Sequence, residues 1–336
     1  MYFYKKILIL IIAVLVSYLL WRLHNKRKQI ILEYSIPQSF ESFTSGVKLN
    51  NTYPQTLTLQ NYCIKSSLNS AYNGTTYKID CDPKKPDNIL KTVLQRGVRF
   101  LDFEIFSVGN EPIVGYSSSY DTTNTNNEAS NSPSDDFINL NIVCKSILSF
   151  KPVHITDPLF IQFRIKTQKP ELYSKMTNYI NQNFQGALYS GKINENTVLS
   201  ELNNKIIIVI DIQKSNSSYS SAPADFKSLV NLETGSSLTV ITTTDLLKSK
   251  SKRININTDG VTITTNEKPP LWTLTYPDIM ATSNPDIKSL MNQQCPNIIQ
   301  CRFDLDDPNL ALYEQIFSNQ AFVPSGSAFN IASKWQ

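Results

Sequence analysis

The chain has 336 residues, enough for one large domain or two modest ones. A formal net charge of +4, with no long basic run in the globular part, excludes a strongly basic nucleic-acid-binding protein. The five cysteines show no metal-binding spacing. Buried or unpaired thiols are the favoured interpretation, and a Cys63–Cys81 or a Cys295–Cys301 disulfide is the alternative.

Residues 1–23 are predicted to form a transmembrane anchor that the mature protein retains. The run from Ile7 to Trp21 is nearly all apolar, and bulky, basic residues follow it where a signal-peptide cleavage site would need small ones. Four basic residues after the run, against two before it, favour a cytosolic body. We therefore expect a single-pass protein of a cellular or virion membrane, with a juxtamembrane linker over 24–54.

Strand-like and helix-like segments alternate from about residue 56 onward. The uninterrupted Ile/Val run at 205–212 is typical of a buried parallel strand, and Asp307-Pro308 supplies a helix cap followed by an N1 proline. The Asn/Ser/Thr stretch at 121–136 predicts a surface loop. The predicted strands are 57–64, 98–106, 159–165, 205–212, 238–243, 272–274 and 298–303. The predicted helices are centred on 89–94, 137–149, 171–184 and 307–316.

This alternation predicts an α/β fold. One distorted (β/α)₈ TIM-like barrel over 55–325, followed by a C-terminal tail at 326–336, explains strands separated by helices better than two domains do. An open, doubly wound sheet is the structural alternative.

Two acidic residues stand on one face of the strand predicted at 98–106. Leu101, Phe103 and Ile105 alternate with Asp102 and Glu104, so the two carboxylates share the opposite face. Inside a barrel, carboxylates are costly unless they are partnered. The pattern therefore predicts a polar barrel mouth with a cation or an arginine nearby.

Three segments resemble the X region of phosphatidylinositol-specific phospholipase C. They are Ser66-Ser67-Leu68-Asn69, the Arg-Gly-Val-Arg-Phe-Leu-Asp-Phe-Glu-Ile-Phe run at 96–106, and Glu111-Pro112-Ile113-Val114-Gly115-Tyr116. The resemblance is strongest over 60–116 and weaker further along. It implies a barrel whose inositol substrate attacks its own phosphodiester, with one histidine as base, another as acid, and Ca²⁺ in the eukaryotic enzymes. The family pattern has histidine where this chain has Leu68 and again where it has Tyr116.

The resemblance assigns further site positions. Asn69 matches a metal-ligand asparagine, with a plain turn residue as the alternative, and Asp102 and Glu104 match the family's acidic pair with the two acid types exchanged. Arg164 stands where the family has a ligand glutamate, which implies that the Ca²⁺ site is lost and that no cofactor is held; we expect Arg164 to pair with Asp102 or Glu104. Asp211, which ends the Ile/Val strand, is a further mouth candidate, with helix capping as the alternative.

Other residues do not replace the missing histidines. His24 lies in the predicted linker, and His154 lies five residues before the strand at 159, near the opposite rim of the barrel. A tyrosine such as Tyr116 has an unperturbed pKa near 10, and Leu68 transfers no proton. The loss of each acid/base role costs about 10²–10⁴ in rate.

The leading prediction is a membrane-anchored, catalytically degraded phospholipase C-like protein. It would bind a phospholipid headgroup, such as a phosphoinositide, or a protein partner, and no nucleic acid. One alternative is an active phosphoric diester hydrolase with a rearranged, metal-independent site. Another is a structural membrane protein that uses the barrel as a scaffold. The Asn-, Ile- and Lys-rich composition is typical of AT-rich genomes such as those of large DNA viruses or protists.

Overall fold

The computed structural model describes a large part of the chain from residue 57 onward. The predicted anchor, the predicted linker, the loop at 121–136 and both histidines lie outside the described residues. All described residues belong to one compact unit, Phe43–Gln336. Within them, no helix is both long enough and apolar enough to cross a membrane. The described ranges are 57–74, 78–79, 81, 88–116, 137–150, 156–167, 169–212, 217–249, 255–257, 260–262, 272–278 and 281–335.

Strands and helices alternate over this range. The strands are β1 (Tyr62–Ile64), β2 (Tyr72–Asn73), β3 (Lys78–Ile79), β4 (Phe100–Val108), β5 (Glu111–Gly115), β6 (Ile138–Asn139), β7 (Leu159–Ile165), β8 (Ile206–Ile210), β9 (Val230–Glu233), β10 (Thr239–Thr242), β11 (Asn255–Asn257), β12 (Gly260–Thr262), β13 (Thr273–Tyr276), β14 (Ile298–Ile299) and β15 (Phe322–Pro324). The helices are α1 (Ile89–Gln95), α2 (Leu140–Phe150), α3 (Glu171–Phe184), α4 (Ala224–Leu229), α5 (Thr243–Lys248), α6 (Ile287–Gln293), α7 (Pro308–Ile316) and α8 (Ser325–Lys334).

Two larger sheets contain most of these strands. One has the order β6-β5-β4-β7-β8-β9 and is parallel from β4 to β9; the other has the order β10-β13-β14-β1-β15, with only β15 antiparallel to its neighbour. Two single β-bridges connect the sheets. Ser66, just after β1, pairs with Phe100 of β4, and Thr234, just after β9, pairs with Leu238, just before β10.

The fold is therefore mixed α/β, and the strand pairing does not show the single closed barrel that the sequence predicted. The physical reason is that the pairings between β1 and β4 and between β9 and β10 are single β-bridges, Ser66–Phe100 and Thr234–Leu238, and not continuous ladders.

The predicted alternation along β4 is present in the structure. Leu101, Phe103 and Ile105 pack into a large apolar cluster with the helices, whereas Phe100 packs into a second cluster, here called the inner cluster. Asp102 and Glu104 are buried, two and four residues beyond Phe100 on its face of the strand. The inner cluster includes Tyr62, Ile64, Leu68, Phe100, Phe160, Ile207, Val209, Leu274, Tyr276 and Ile298.

Most predicted elements lie within a few residues of the observed ones. β7 and α3 agree with the predicted bounds, and α7 begins after an Asp307 cap whose side chain accepts a hydrogen bond from the Leu310 amide at 2.8 Å. The helix predicted at 137–149 begins later, because Ile138–Asn139 pair with β5 first. The predicted strand at 57–64 begins with a 3₁₀ turn at Leu59–Asn61.

The C-terminal segment differs from the predicted tail, and the cysteines differ from the disulfide alternative. The region predicted as a tail forms α8, whose Ala328 and Ala332 are buried in the core. All five cysteines are buried and none is part of a disulfide, so neither Cys63–Cys81 nor Cys295–Cys301 is bonded.

Candidate functional site

The register of β4 and β7 brings the predicted polar residues together. The two strands run parallel, with Asp102 beside Gln162 and Glu104 beside Arg164. Asn69 lies in the turn after β1 with φ 45°, a left-handed conformation that asparagine tolerates better than most residues. Its backbone N–H donates to Asp102 Oδ2 at 3.0 Å. Three chain segments far apart in sequence therefore meet at one point.

Arg164 forms the centre of this arrangement, and its side chain is fully buried. Its Nε donates to Asp102 Oδ1 at 2.8 Å and its Nη2 to Asp102 Oδ2 at 2.6 Å, which makes the pair bidentate. Nη1 donates to Glu104 Oε1 at 2.7 Å, and Nη2 also donates to Asn69 Oδ1 at 2.6 Å. We call Arg164, Asp102, Glu104 and Asn69 the Arg164 centre.

A hydrogen-bonded chain extends from this centre to Asp211. Gln162 Nε2 donates to Asp102 Oδ1 at 3.3 Å and to the Tyr276 hydroxyl, which donates to Asp211 Oδ2 at 2.8 Å. Thr234 Oγ1 donates to the other Asp211 oxygen at 2.9 Å. Burial, reinforced by the Asp211 charge, raises the pKa of Tyr276 well above its usual value, so the phenol stays protonated and donates. Asp211 does not cap the next α-helix, α4, because the N-cap of that helix is Pro223.

Lys166 adds a second cation beside the Arg164 centre. It follows Arg164 by two residues along the strand direction, and its Nζ lies 3.9 Å from Glu104 Oε1. Burial lowers the pKa of Lys166, and the Glu104 carboxylate opposes that shift. With all five groups ionised, three carboxylates (Asp102, Glu104 and Asp211) face two cations, which leaves one net negative charge.

Leu68 and Tyr116 occupy the two positions where the family pattern has histidine. Leu68 is 8% exposed and packs into the inner cluster. Tyr116, at the end of the hairpin formed by β4 and β5, stacks on Tyr72 with ring centroids 4.1 Å apart and planes inclined by 14°. The Tyr72 amide donates to the Asn69 carbonyl at 2.8 Å, so the stacked pair adjoins the Arg164 centre.

Some residues of the network were missed by the sequence analysis. Residues two apart on a strand share a face. The site assignment of Arg164 on β7 should therefore have been extended to Gln162 and Lys166. Tyr276 was not among the predicted site residues. Thr234 carried no sequence pattern that points to the site.

The carboxylates of the centre face a cation of the chain itself. Both Asp102 oxygens and one Glu104 oxygen accept hydrogen bonds from the Arg164 guanidinium. Among the residues that the structure describes, no group of three or more His, Cys, Asp or Glu side chains is arranged as metal ligands.

Comparison with known proteins agrees with the resemblance. Residues 55–211 match the family model described as phosphatidylinositol-specific phospholipase C, X domain. PLC21 of L. pealei is 14% identical, with a TM-score of 0.54, and PLC21 of S. officinalis is 14% identical, with a TM-score of 0.52. Each comparison covers 82% of this chain and 37% of the other. Comparison with curated proteins finds no match.

At this identity the structural similarity shows the fold alone, and this chain spans little more than a third of each PLC21. The chain has a phosphodiesterase fold like that of phosphatidylinositol-specific phospholipase C, and the X-domain match contains Asn69, Asp102, Glu104, Arg164 and Asp211.

Proposed function

We propose that this protein is a phospholipase C-like protein that no longer hydrolyses phosphodiesters efficiently and that binds a phosphorylated lipid headgroup, such as a phosphoinositide, beside the Arg164 centre. The observation that carries the proposed loss of hydrolysis is the position of Arg164, which donates hydrogen bonds to both acidic residues of the matched strand. The predicted N-terminal anchor would hold the protein at a membrane, with its body on the cytosolic side.

The loss of turnover follows from the groups that are present. The family reaction needs a base, an acid and an electrophilic cation, each close to the scissile phosphate. Leu68 is apolar and packed into the core, and Tyr116 is stacked on Tyr72. Arg164 is a cation, but the groups around it accept its hydrogen bonds and bury it completely. A phosphate would have to displace these internal bonds to reach it.

We also propose that Ca²⁺ is not held tightly at this centre. A glutamate-to-arginine exchange changes the local charge by two units. Two like unit charges a few ångströms apart repel by roughly 4 kcal/mol at an effective dielectric of about 20, and a divalent ion experiences about twice that. Asp102 and Glu104 have a cationic partner without metal, which explains how paired carboxylates are tolerated in a buried position.

Headgroup binding would rely on the cations at the edge of the centre. Lys166 reaches towards Glu104 and keeps 8% of its side chain exposed. Arg302 lies close enough to Tyr72 and Tyr116 to interact electrostatically with both, and its side chain is 21% exposed. An arginine near aromatic rings suits a phosphate attached to a ring-shaped headgroup, and the lysine adds a second positive charge.

The two sheets, in our proposal, are parts of one distorted (β/α)₈ barrel. The bridges Ser66–Phe100 and Thr234–Leu238 support it, because they complete a ring in the order β4-β7-β8-β9-β10-β13-β14-β1. In such a ring the Arg164 centre lies at the carboxyl ends of the strands, where barrel enzymes place their sites.

Titration of the full chain in detergent micelles with inositol 1-phosphate tests the binding proposal. We expect saturable binding by calorimetry that the double variant Lys166→Gln, Arg302→Gln weakens at least tenfold. Lys145→Gln is the matched control, since Lys145 is exposed on α2. Equal affinities in all three proteins would contradict the proposal, and the complete lack of binding by the wild type would favour the scaffold alternative.

A second candidate function is a metal-independent phosphodiesterase. It is favoured by Lys166, whose lowered pKa and position beside Glu104 would allow it to transfer a proton next to a fixed guanidinium. Turnover that resists EDTA and is lost in Lys166→Met would support this candidate over the first.

A further inference from the structure

Arg302 and Asp304 form a bidentate ion pair in the segment that follows β14. Arg302 Nη2 donates to Asp304 Oδ2 at 2.6 Å and Nε donates to Asp304 Oδ1 at 3.3 Å, so one guanidinium holds both oxygens of one carboxylate. The Arg302 side chain is 21% exposed and that of Asp304 is 6% exposed. The guanidinium therefore reaches solvent, while two of its donors are taken by an anion of the same chain.

The backbone of Arg302 is fixed by the side chain of Asn284. The Arg302 amide donates to Asn284 Oδ1 at 2.6 Å, and Asn284 Nδ2 donates to the Arg302 carbonyl at 3.0 Å. The Asn284 amide in turn donates to Asp307 Oδ2 at 2.7 Å. Because these bonds hold the base of the arginine, the partner of its guanidinium is the part of the arrangement that can change.

The Asp304 carboxylate also packs against the backbone at Gly74. A Cβ added to Gly74 would lie 1.9 Å from Asp304 Oδ2 and 2.8 Å from Asp304 Cγ. Only glycine leaves room for so close an approach. Gly74 directly follows β2, whose Tyr72 stacks on Tyr116. The carboxylate is thus in contact both with the guanidinium and with the turn beside the stacked tyrosines.

A phosphate bound by arginine uses the same planar pair of N–H donors as a carboxylate does. A phosphate on Nε and Nη2 of Arg302 would have to displace Asp304, and two anions held this close repel each other. We propose that Asp304 is an internal competitor that restrains Arg302 and weakens the binding of a phosphate there. The inference rests on the proposed function in one respect, namely that the phosphate belongs to a lipid headgroup.

Two variants loosen the pair by different means. Asp304→Asn removes the charge and keeps the shape of the side chain. Gly74→Ala changes no charge, but its methyl group overlaps the carboxylate, which must move. Asp278→Asn is the control for charge, because that carboxylate accepts hydrogen bonds from two threonine hydroxyls of α5. Gly186→Ala is the control for the added methyl group, since a Cβ there meets nothing within 4 Å.

The first measurement needs no ligand. Phenylglyoxal modifies accessible arginines, and mass spectrometry of the digested full chain gives the rate at Arg302. We expect faster modification of Arg302 in Asp304→Asn and in Gly74→Ala than in the wild type, and wild-type rates in both controls. Equal rates in the wild type and in the two test variants would overturn the proposal. Either test variant is sufficient should the other fail to fold.

The second measurement is calorimetric titration of the same proteins, in detergent micelles, with inositol 1-phosphate and with inorganic phosphate. Both test variants should bind inositol 1-phosphate about fivefold more tightly than the wild type, which is the effect of one like charge at about 4 Å in a water-like dielectric. Faster modification without tighter binding, in a wild type that binds, would also overturn the proposal, as would an equal gain in Asp278→Asn.

Failure of the proposed function gives different results. If none of the proteins binds inositol 1-phosphate, headgroup binding is wrong, and the modification rates alone decide whether Asp304 restrains Arg302. If inorganic phosphate binds as tightly as inositol 1-phosphate, and more tightly in both test variants, the competition is supported but the phosphate is free rather than part of a headgroup.

Discussion

Arg164 and Asp102 form a bidentate ion pair in which both side chains are fully buried, with Nε–Oδ1 at 2.8 Å and Nη2–Oδ2 at 2.6 Å. The pair connects neighbouring strands β4 and β7, and Glu104 and Asn69 accept the remaining short bonds of the same guanidinium. One cation thus holds together three segments whose polar groups would otherwise be buried without compensation.

Replacement of Arg164 by methionine should strongly destabilise the fold. Removal of one partner of a buried ion pair typically costs about 3–5 kcal/mol, because the other charge remains buried. Equilibrium unfolding in urea measures the change. The control is Lys145→Met on the exposed side of α2, where we expect a change within about 0.5 kcal/mol. A loss below about 1 kcal/mol in Arg164→Met would show that the carboxylates do not depend on this guanidinium.

The exchange Arg164→Glu tests the proposal that Arg164 prevents tight Ca²⁺ binding at this centre. We expect either measurable Ca²⁺ binding by calorimetry or a marked loss of stability from clustered, unpaired carboxylates, since the variant adds a third acid beside Asp102 and Glu104. Arg164→Gln is the matched control and should bind no Ca²⁺. Micromolar Ca²⁺ binding by the wild type, unchanged in Arg164→Glu, would contradict our interpretation of the centre.

Tyr276→Phe should cost about 1–3 kcal/mol of stability, since it removes the hydroxyl that links Gln162 to Asp211 and leaves a buried carboxylate oxygen with one donor fewer. Thermal and urea unfolding measure the effect. Tyr179→Phe serves as the control, because its hydroxyl donates to a partly exposed carboxylate, that of Glu111. Equal changes in both variants would mean that the Tyr276 hydrogen bonds contribute no more than surface ones.

Asp157 should make the stability pH-dependent between about pH 4 and 6. Its carboxyl is 1% exposed, and burial raises its pKa to about 6, while Arg99 at 3.5 Å opposes the shift. A folded-state pKa above the unfolded value means that the folded protein binds more protons in this window. The contribution of Asp157 therefore becomes less favourable as the pH rises from about 4 to 6, and it is constant above that.

The free energy of unfolding as a function of pH, measured for the wild type and for Asp157→Asn, isolates this contribution. The wild-type value should fall relative to that of the variant across the window. The exposed Asp225→Asn should show no such difference. Parallel curves for the wild type and Asp157→Asn would indicate that the Asp157 carboxyl titrates normally.

Local patterns predicted much of the fold and part of the site. The strand at 159–165, the helix at 171–184 and the shared face of Asp102 and Glu104 follow from side-chain periodicity, which is a property of neighbouring residues. The connection between the two sheets could not be predicted, because it depends on single β-bridges, Ser66–Phe100 and Thr234–Leu238, between residues far apart in the sequence or in a turn. The link from Gln162 through Tyr276 to Asp211 was missed for a similar reason. Gln162 and Tyr276 are 114 positions apart and are connected by one hydrogen bond, which the spacing of residues in the sequence does not indicate.

Release of water-soluble inositol phosphate from phosphatidylinositol micelles by the purified full chain, measured with and without Ca²⁺, tests the proposed loss of hydrolysis most directly. The wild type should release no more product than Asp102→Ala under either condition, because in our proposal Leu68 and Tyr116 stand in the places of the acid and the base and Arg164 stands in that of a metal ligand. Product release by the wild type that Asp102→Ala abolishes would contradict this and identify an active phosphodiesterase.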